Sequence, residues 1–381
     1  MANGLDGLIP KVYKALDTVS RELVGWIPSV TLDASVARAA VGQEVVSHVA
    51  PAVVATDITP GVTPPEDVDQ DFSSKGVTIT KARRVGFDWN GEEERGLDNR
   101  GAGADSLKQD QIEQAIRTLT NEFENDVQAA VRIAASRATG TAGTTPFASG
   151  LGDTAQARKI LDDNGAPASN RSVIIDTTAG ANLRTNAQLT KANEAGTTMT
   201  LRDGELLNLH GMSIKESAAV QPVTKGTGAS YQVNKVGGYA KGATDIIVDT
   251  GSGTILAGDV IQFAGDANKY VVTASLGGGV VISIGKPGLR VALADNTAIT
   301  VLGNLTPNVA FSKSAIVAAA RQPALPKGGD LATDRTTIVD PRSGLALELA
   351  MYPGYRQMKY EISLTWGVKV VKEEHVALLI G

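Results

Sequence analysis

Between residues 112 and 134 the apolar positions Ile112, Ile116, Leu119, Phe123, Val127, Val131 and Ala134 recur at spacings of three and four, which predicts one amphipathic helix. Ser106 with Gln109 three residues on reads as a capping box, and Gly140 lies past the last periodic position. The helix should span roughly 30 residues, about 45 Å at 1.5 Å per residue. Near the end of the chain the period changes. Met358, Tyr360, Ile362, Leu364, Trp366, Val368 and Val370 alternate strictly, the mark of a strand with one buried face.

The segments around these two elements are shorter. Residues 1–41 carry helix-like stretches at 9–24 and 33–40, broken by Trp26-Ile27-Pro28, and read as an arm. Residues 43–58 are rich in Val and Ala, and a strand-like alternation runs from Val77 to Trp89. Between them Pro60, Pro64 and Pro65 precede Glu66, Asp67, Asp69 and Asp71, a composition that resists helix and sheet. The span predicts a long hairpin with an acidic tip. A helix over 153–164, stopped by Gly165, and a buried strand over 172–176 make an α/β unit. After Val223, short Val/Ile-rich runs at 245–248, 259–263, 270–273, 280–284 and 298–302, separated by glycine turns, predict a small β-barrel. Helical character returns at 314–321.

Composition agrees with a globular chain in two or more parts: 381 residues, 42% hydrophobic and 20% charged. Aromatics supply only 4% against 41 glycines, so each layer buries little area per residue, and neighbouring copies are expected to complete it. The net charge of −5 has no Lys/Arg block of the kind used to bind nucleic acid tightly. The absence of cysteine removes disulfides, thiolate metal sites and cysteine nucleophiles. The first residues lack a basic segment followed by an apolar run, and no stretch of about 18 apolar residues occurs, so a cytoplasmic product without a membrane span is expected.

Motif chemistry is sparse. His48, His210 and His375 have no metal-ligand spacing. Gly150-x-Gly152-x-x-Ala155 opens a helix but follows no convincing strand, so it is not read as a dinucleotide fingerprint. Asp67-x-Asp69-x-Asp71 starts like a calcium loop, yet Phe72 replaces the required glycine and Thr78 the bidentate glutamate. Glu92-Glu93-Glu94 reads as an exposed charge run. No P-loop or nucleophile elbow occurs, so no catalytic, cofactor or metal site is expected.

The order of arm, long hairpin, very long helix, α/β unit, inserted barrel, return helix and final strand resembles the major capsid proteins of tailed bacteriophages, with their α+β Hong Kong 97 (HK97-like) fold. Ala157-Arg-Lys-Ile-Leu-Asp-Asp-Asn-Gly-Ala-Pro-Ala-Ser-Asn-Arg-Ser-Val-Ile-Ile-Asp176 is similar to the family's helix, turn and strand leading into the axial domain. Leu201-Arg-Asp-Gly204 through Gly211 and Glu216-Ser217 resembles the loop and strand before the insertion. Leu256-Ala-Gly-Asp-Val-Ile-Gln-Phe-Ala-Gly265 resembles the insertion domain of P22-like coat proteins, and Asn308-Val-Ala-Phe-Ser-Lys-Ser-Ala315 the re-entry after it. The ending Leu364-Thr-Trp-Gly-Val-Lys-Val-Val-Lys-Glu-Glu-His-Val376 also suits the family's closing strand.

The resemblance implies six segments: N-terminal arm 1–41, E-loop hairpin 42–104, peripheral domain with spine helix 105–150, axial domain 151–221, inserted β-barrel 222–306, and a return to the axial and peripheral domains over 307–381. It implies a non-enzymatic subunit that assembles as hexamers and pentamers into an icosahedral head around double-stranded DNA, without sequence-specific binding. A separate scaffolding protein, a portal protein and, as an optional addition, a decoration protein are the implied partners. The implied location is the virion, with assembly in the host cytoplasm. No covalent crosslink is expected, since no lysine–asparagine pair maps onto this chain. An encapsulin-type shell and a β-rich hydrolase or carbohydrate-binding enzyme are the alternatives. For assembly contacts the candidates are the acids Asp67, Asp69 and Asp71 with Glu92, Glu93 and Glu94, and the cations Lys81, Arg83 and Arg84 that face them on the returning arm.

Overall fold

The computed structural model describes residues 25–33, 37–48, 57–58, 60, 74–99, 104–186, 189, 208–275, 281–340 and 343–381. In chain order the strands and helices are β1 Thr31–Asp33, β2 Arg38–Ala39, β3 Glu44–His48, β4 Ser74–Thr78, β5 Lys81–Asn90, α1 Gly91–Asn99, α2 Ala104–Ile133, β6 Arg137–Gly140, α3 Gly152–Asp163, β7 Arg171–Ile175, α4 Thr177–Thr185, β8 Asn208–Leu209 and β9 Met212–Glu216. There follow β10 Gln232–Val233, β11 Asp245–Asp249, β12 Val260–Phe263, β13 Lys269–Ser275, β14 Val281–Ile284, β15 Ile299–Val301, β16 Pro307–Ser312, β17 Ile316–Pro323, β18 Asp334–Val339, β19 Ala346–Gly354, β20 Gln357–Val370 and β21 Val376–Ile380.

The alternating strand β20 is the axis of a seven-stranded sheet. β5 pairs along one side of it, from Lys81↔Trp366 to Asn90↔Gln357, while β17 and β19 share the other side. β18 lies beyond β19, and β1 and β2 join β17 in parallel. Ile362, Leu364 and Trp366 meet Ile112, Ile116, Leu119, Phe123 and Val127 of α2 in one core. Full burial of such side chains is worth about 1.5–3 kcal/mol each, which fixes the helix to the sheet. The Phe123 ring stands edge-on to Trp366 at 5.8 Å.

The second sheet runs β6-β21-β16-β7-β9-β8, with α3 and α4 packed through Ala157, Leu161, Ala179 and Leu183 onto Val173, Ile175 and Leu379. Arg171 locks the α3–β7 connection: its guanidinium donates to Asp162 at 2.6 Å and to the carbonyls of Ala166 and Pro167. Asp176 then caps α4 by accepting from the Thr178 and Ala179 amides.

Residues 223 and 305 pair at the entry to and exit from the β-only segment. Inside it, pairing runs β10-β11-β14-β13-β12-β15, and backbone bonds from Val233 to Thr297 and from Ile299 to Tyr231 join β15 back to β10. Tyr231, Val233, Ile246, Phe263, Tyr270 and Ile282 share a separate core there. The segment is also joined to the second sheet, because the start of β13 pairs with β6 at Lys269↔Ala138 and Tyr270↔Arg137.

Three expectations change. Residues 314–321 form a 3-10 turn and strand β17, not a helix: alanine's helix preference is less than about 1 kcal/mol per residue, and ladder pairing on both sides outweighs it. The stretch 33–40 contributes β1 and β2 rather than a helix. The returning arm leaves the hairpin early, since among the described residues β3 pairs with β4 alone, while Val85 and Phe87 pack β5 into the main core. The helical stretch at 9–24 and the tip, Pro60 excepted, lie outside the described residues.

Candidate assembly surface

The base of the ribbon β3–β4 sits on the outer face of the first sheet, with Val45 and Val77 against Ala39, Ile79 and Ala319. Among the described residues, Val46 on its other face is 52% exposed. A two-stranded ribbon is marginal in water by itself, so its packing on the sheet through Val45 and Val77 is what holds it in place.

Of the candidate cations, Lys81 and Arg83 reach the long helix: Lys81 Nζ donates to Asp126 at 2.8 Å and Glu122 at 3.3 Å, and Arg83 Nε to Glu122 at 2.9 Å. The bond to Asp126 is the main influence raising the Lys81 pKa above its ordinary value. Arg84, on the opposite face of β5, pairs with Glu361 at 3.0 Å. Glu92, Glu93 and Glu94 open α1 at the far end of β5, about 30 Å away over its 10 residues at about 3.3 Å each. The candidate cations and this acidic triplet are therefore apart within the subunit, and Asp67, Asp69 and Asp71 lie outside the described residues.

Each glutamate of the triplet has a separate setting. Glu93 and Asn90 cap α1 reciprocally, the Glu93 amide donating to Asn90 at 2.8 Å and the Asn90 amide to Glu93 at 3.3 Å. Glu94 pairs with Lys108, whose ammonium lies 5.7 Å from the Trp89 ring and 5.9 Å from that of Tyr360. Glu92 lines a cavity of about 490 Å³ with Tyr355 and Arg356 of the β19–β20 turn. A neighbouring cavity of about 530 Å³ is lined by Asp88, Trp89, Glu93, Gly96, Leu97 and Gln111.

Two contacts that sequence reading missed hold the frame. Glu124 of α2 is buried and accepts from the amides of Trp26 and Ile27 at 3.0 and 2.9 Å and from the Ser217 hydroxyl at 3.1 Å. Burial raises its pKa, against the pull of those donors. Arg184 grips the buried Glu216 through two bonds of 2.6 and 2.7 Å. A polar residue inside the apolar stripe of α2 was the visible signal for Glu124. Its partners, nearly a hundred residues away, were not.

Among the described residues no group of three or more His, Asp or Glu side chains could hold a metal ion, and no helix is long and apolar enough to cross a membrane. No family model matches the sequence, and no curated protein matches it. Solved structures do. The capsid structure of the cyanophage P-SCSP1u aligns with a TM-score of 0.51 at 13% identity, covering 94% of this chain and 88% of that one. A structure from Mycobacterium phage Che8 aligns with a TM-score of 0.45 at 16% identity, over 88% and 84%. A virus-like particle from Pyrococcus furiosus aligns with a TM-score of 0.42 at 8% identity, over 97% and 96%. The likeness to the cyanophage chain establishes the architecture: this protein has the mixed α+β fold of HK97-like capsid subunits.

Proposed function

We propose that this chain is the major capsid protein of a tailed bacteriophage, a structural subunit without catalytic activity that forms hexamers and pentamers of an icosahedral head. The observation that carries the reading is the near full-length fold match to a cyanophage capsid chain. The exposed Val46 on the β3–β4 ribbon is in keeping with it, as an apolar side chain that a neighbouring subunit could bury. Residues 222–306 serve as an inserted β-barrel domain of the P22-like kind, and a separate scaffolding protein and a portal complete assembly. Packaged double-stranded DNA is enclosed without base-specific contacts, in keeping with a net charge of −5. The location is the virion shell, built in the host cytoplasm.

Electron microscopy of the purified protein, alone and with the products of its neighbouring genes, tests this. Closed shells of regular size are the expected outcome. A protein that stays monomeric at all concentrations overturns the reading, and an enzyme cargo inside the shells, in place of nucleic acid, turns it into the encapsulin one.

A further inference from the structure

The groove between β5, α1 and α2 pairs an apolar wall, Trp89 and Leu97, with acidic rims at Asp88 and Glu93. Its occupant must therefore offer an apolar group and a cation together. The acidic hairpin tip is excluded by like charge. Elsewhere on the chain, Lys235 adjoins the exposed Val236, but its ammonium already lies 4.3 Å from the Tyr239 ring.

The connection from β17 to β18, residues 324–333, does fit. Pro326 accepts from the Gly329 amide in a turn that carries the exposed Lys327 outward. Asp330 ties down the return by accepting from Arg335 at 2.6 Å, Tyr352 at 3.0 Å and the Ala332 amide at 3.1 Å. Leu331, next to this anchor, is left 85% exposed.

Groove and loop also lie at the same level of one sheet. Asp88 is paired with Lys359 and Lys359 with Tyr352, whose hydroxyl reaches Asp330. The row crosses β5, β20 and β19 to the loop beside β18, about 15 Å at about 4.8 Å between strands, and β5 and β18 are the outermost strands at this level among the described residues. Resting on the capsid reading above, we infer that the loop at 324–333 of one copy seats Lys327 and Leu331 in the groove of the next. The contact is heterologous: every copy uses both edges, and the series runs on until it closes.

The absence of cysteine from the chain gives a clean test. In the double variant Gly96→Cys, Lys327→Cys, oxidation of assembled particles should produce a ladder of covalent multimers that reductant collapses, while each single variant stays monomeric on the gel. Normal particles without multimers, or with dimers alone, overturn the inference and leave the capsid reading standing. Absence of particles from the wild-type protein removes both. As a second measurement, Lys327→Glu should lower particle yield with unchanged circular dichroism, and adding Asp88→Lys should restore it. Wild-type yield from Lys327→Glu alone overturns the inference.

Discussion

Asp126 accepts a 2.7 Å hydrogen bond from the indole of Trp366, joining the last third of the long helix to the axis strand beneath it. Its other oxygen accepts from Lys81 at 2.8 Å. Trp366 is fully buried, so Asp126→Ala strands an indole N–H away from water and should cost about 1–3 kcal/mol. Asp126→Asn keeps an acceptor and loses only the partly exposed ion pair, about 0–1 kcal/mol. Urea midpoints of the unassembled subunit distinguish the two, and equal losses would show that charge dominates.

Phe123→Ala should destabilise the subunit by about 3–5 kcal/mol, since the ring is fully buried between helix and sheet. A loss under about 1 kcal/mol in the same assay would mean that the core closes over the gap.

Glu124 predicts a pH dependence. Burial holds its pKa above the ordinary 4.5, so the folded state binds more protons than the unfolded state between 4.5 and the raised value. Its contribution to stability therefore falls as pH rises through that window and is level on either side. Glu124→Gln removes the titration. The wild-type protein should lose stability relative to the variant as pH climbs from about 4.5, read by urea titrations across pH. Parallel profiles would show that no such shift exists.

Residues 222–306 expressed alone should give dispersed amide resonances, because the β-only segment has its own core and pairs its own entry and exit. Freed from β6, the start of β13 keeps its pairing with β12, and only an amide that was bonded to β6 should exchange faster. A collapsed spectrum would mean that the segment depends on the second sheet to fold.

Replacing Asp67, Asp69 and Asp71 by lysine should leave the circular dichroism and melting of the monomer unchanged while reducing or misdirecting particle formation. Exposed charge pairs are worth only about 0–1 kcal/mol each, yet a closed shell repeats every contact in each copy. Regular shells at wild-type yield would show that the tip is a free solvent loop.

Periodicity made the long helix, the axis strand and the strands at 245–302 legible, because in each the buried face repeats with a fixed period. It misled at Ala318-Ala319-Ala320, where small side chains look helical but serve a strand with neighbours on both sides. α1 was readable in principle: Asn90 followed by Glu93 is a capping pair, obscured by Gly91 and Gly96 and by the charge run. Among the candidate contacts, residue types gave the charges but not their partners. Lys81 and Arg83 find acids of their own subunit about forty residues on, a pairing set by how α2 crosses β5 rather than by local spacing.

The shared ladder between β13 and β6 decides how load would travel through the molecule. A module attached only by its two chain crossings swings like a flap on a hinge, and pushing on it leaves the body unbent. Here two residue pairs continue one sheet into the other, and β6 in turn runs parallel to β21. A force on the β-only segment would therefore pass as shear along backbone hydrogen bonds into the strand at residues 376–380, instead of being absorbed at the chain crossings.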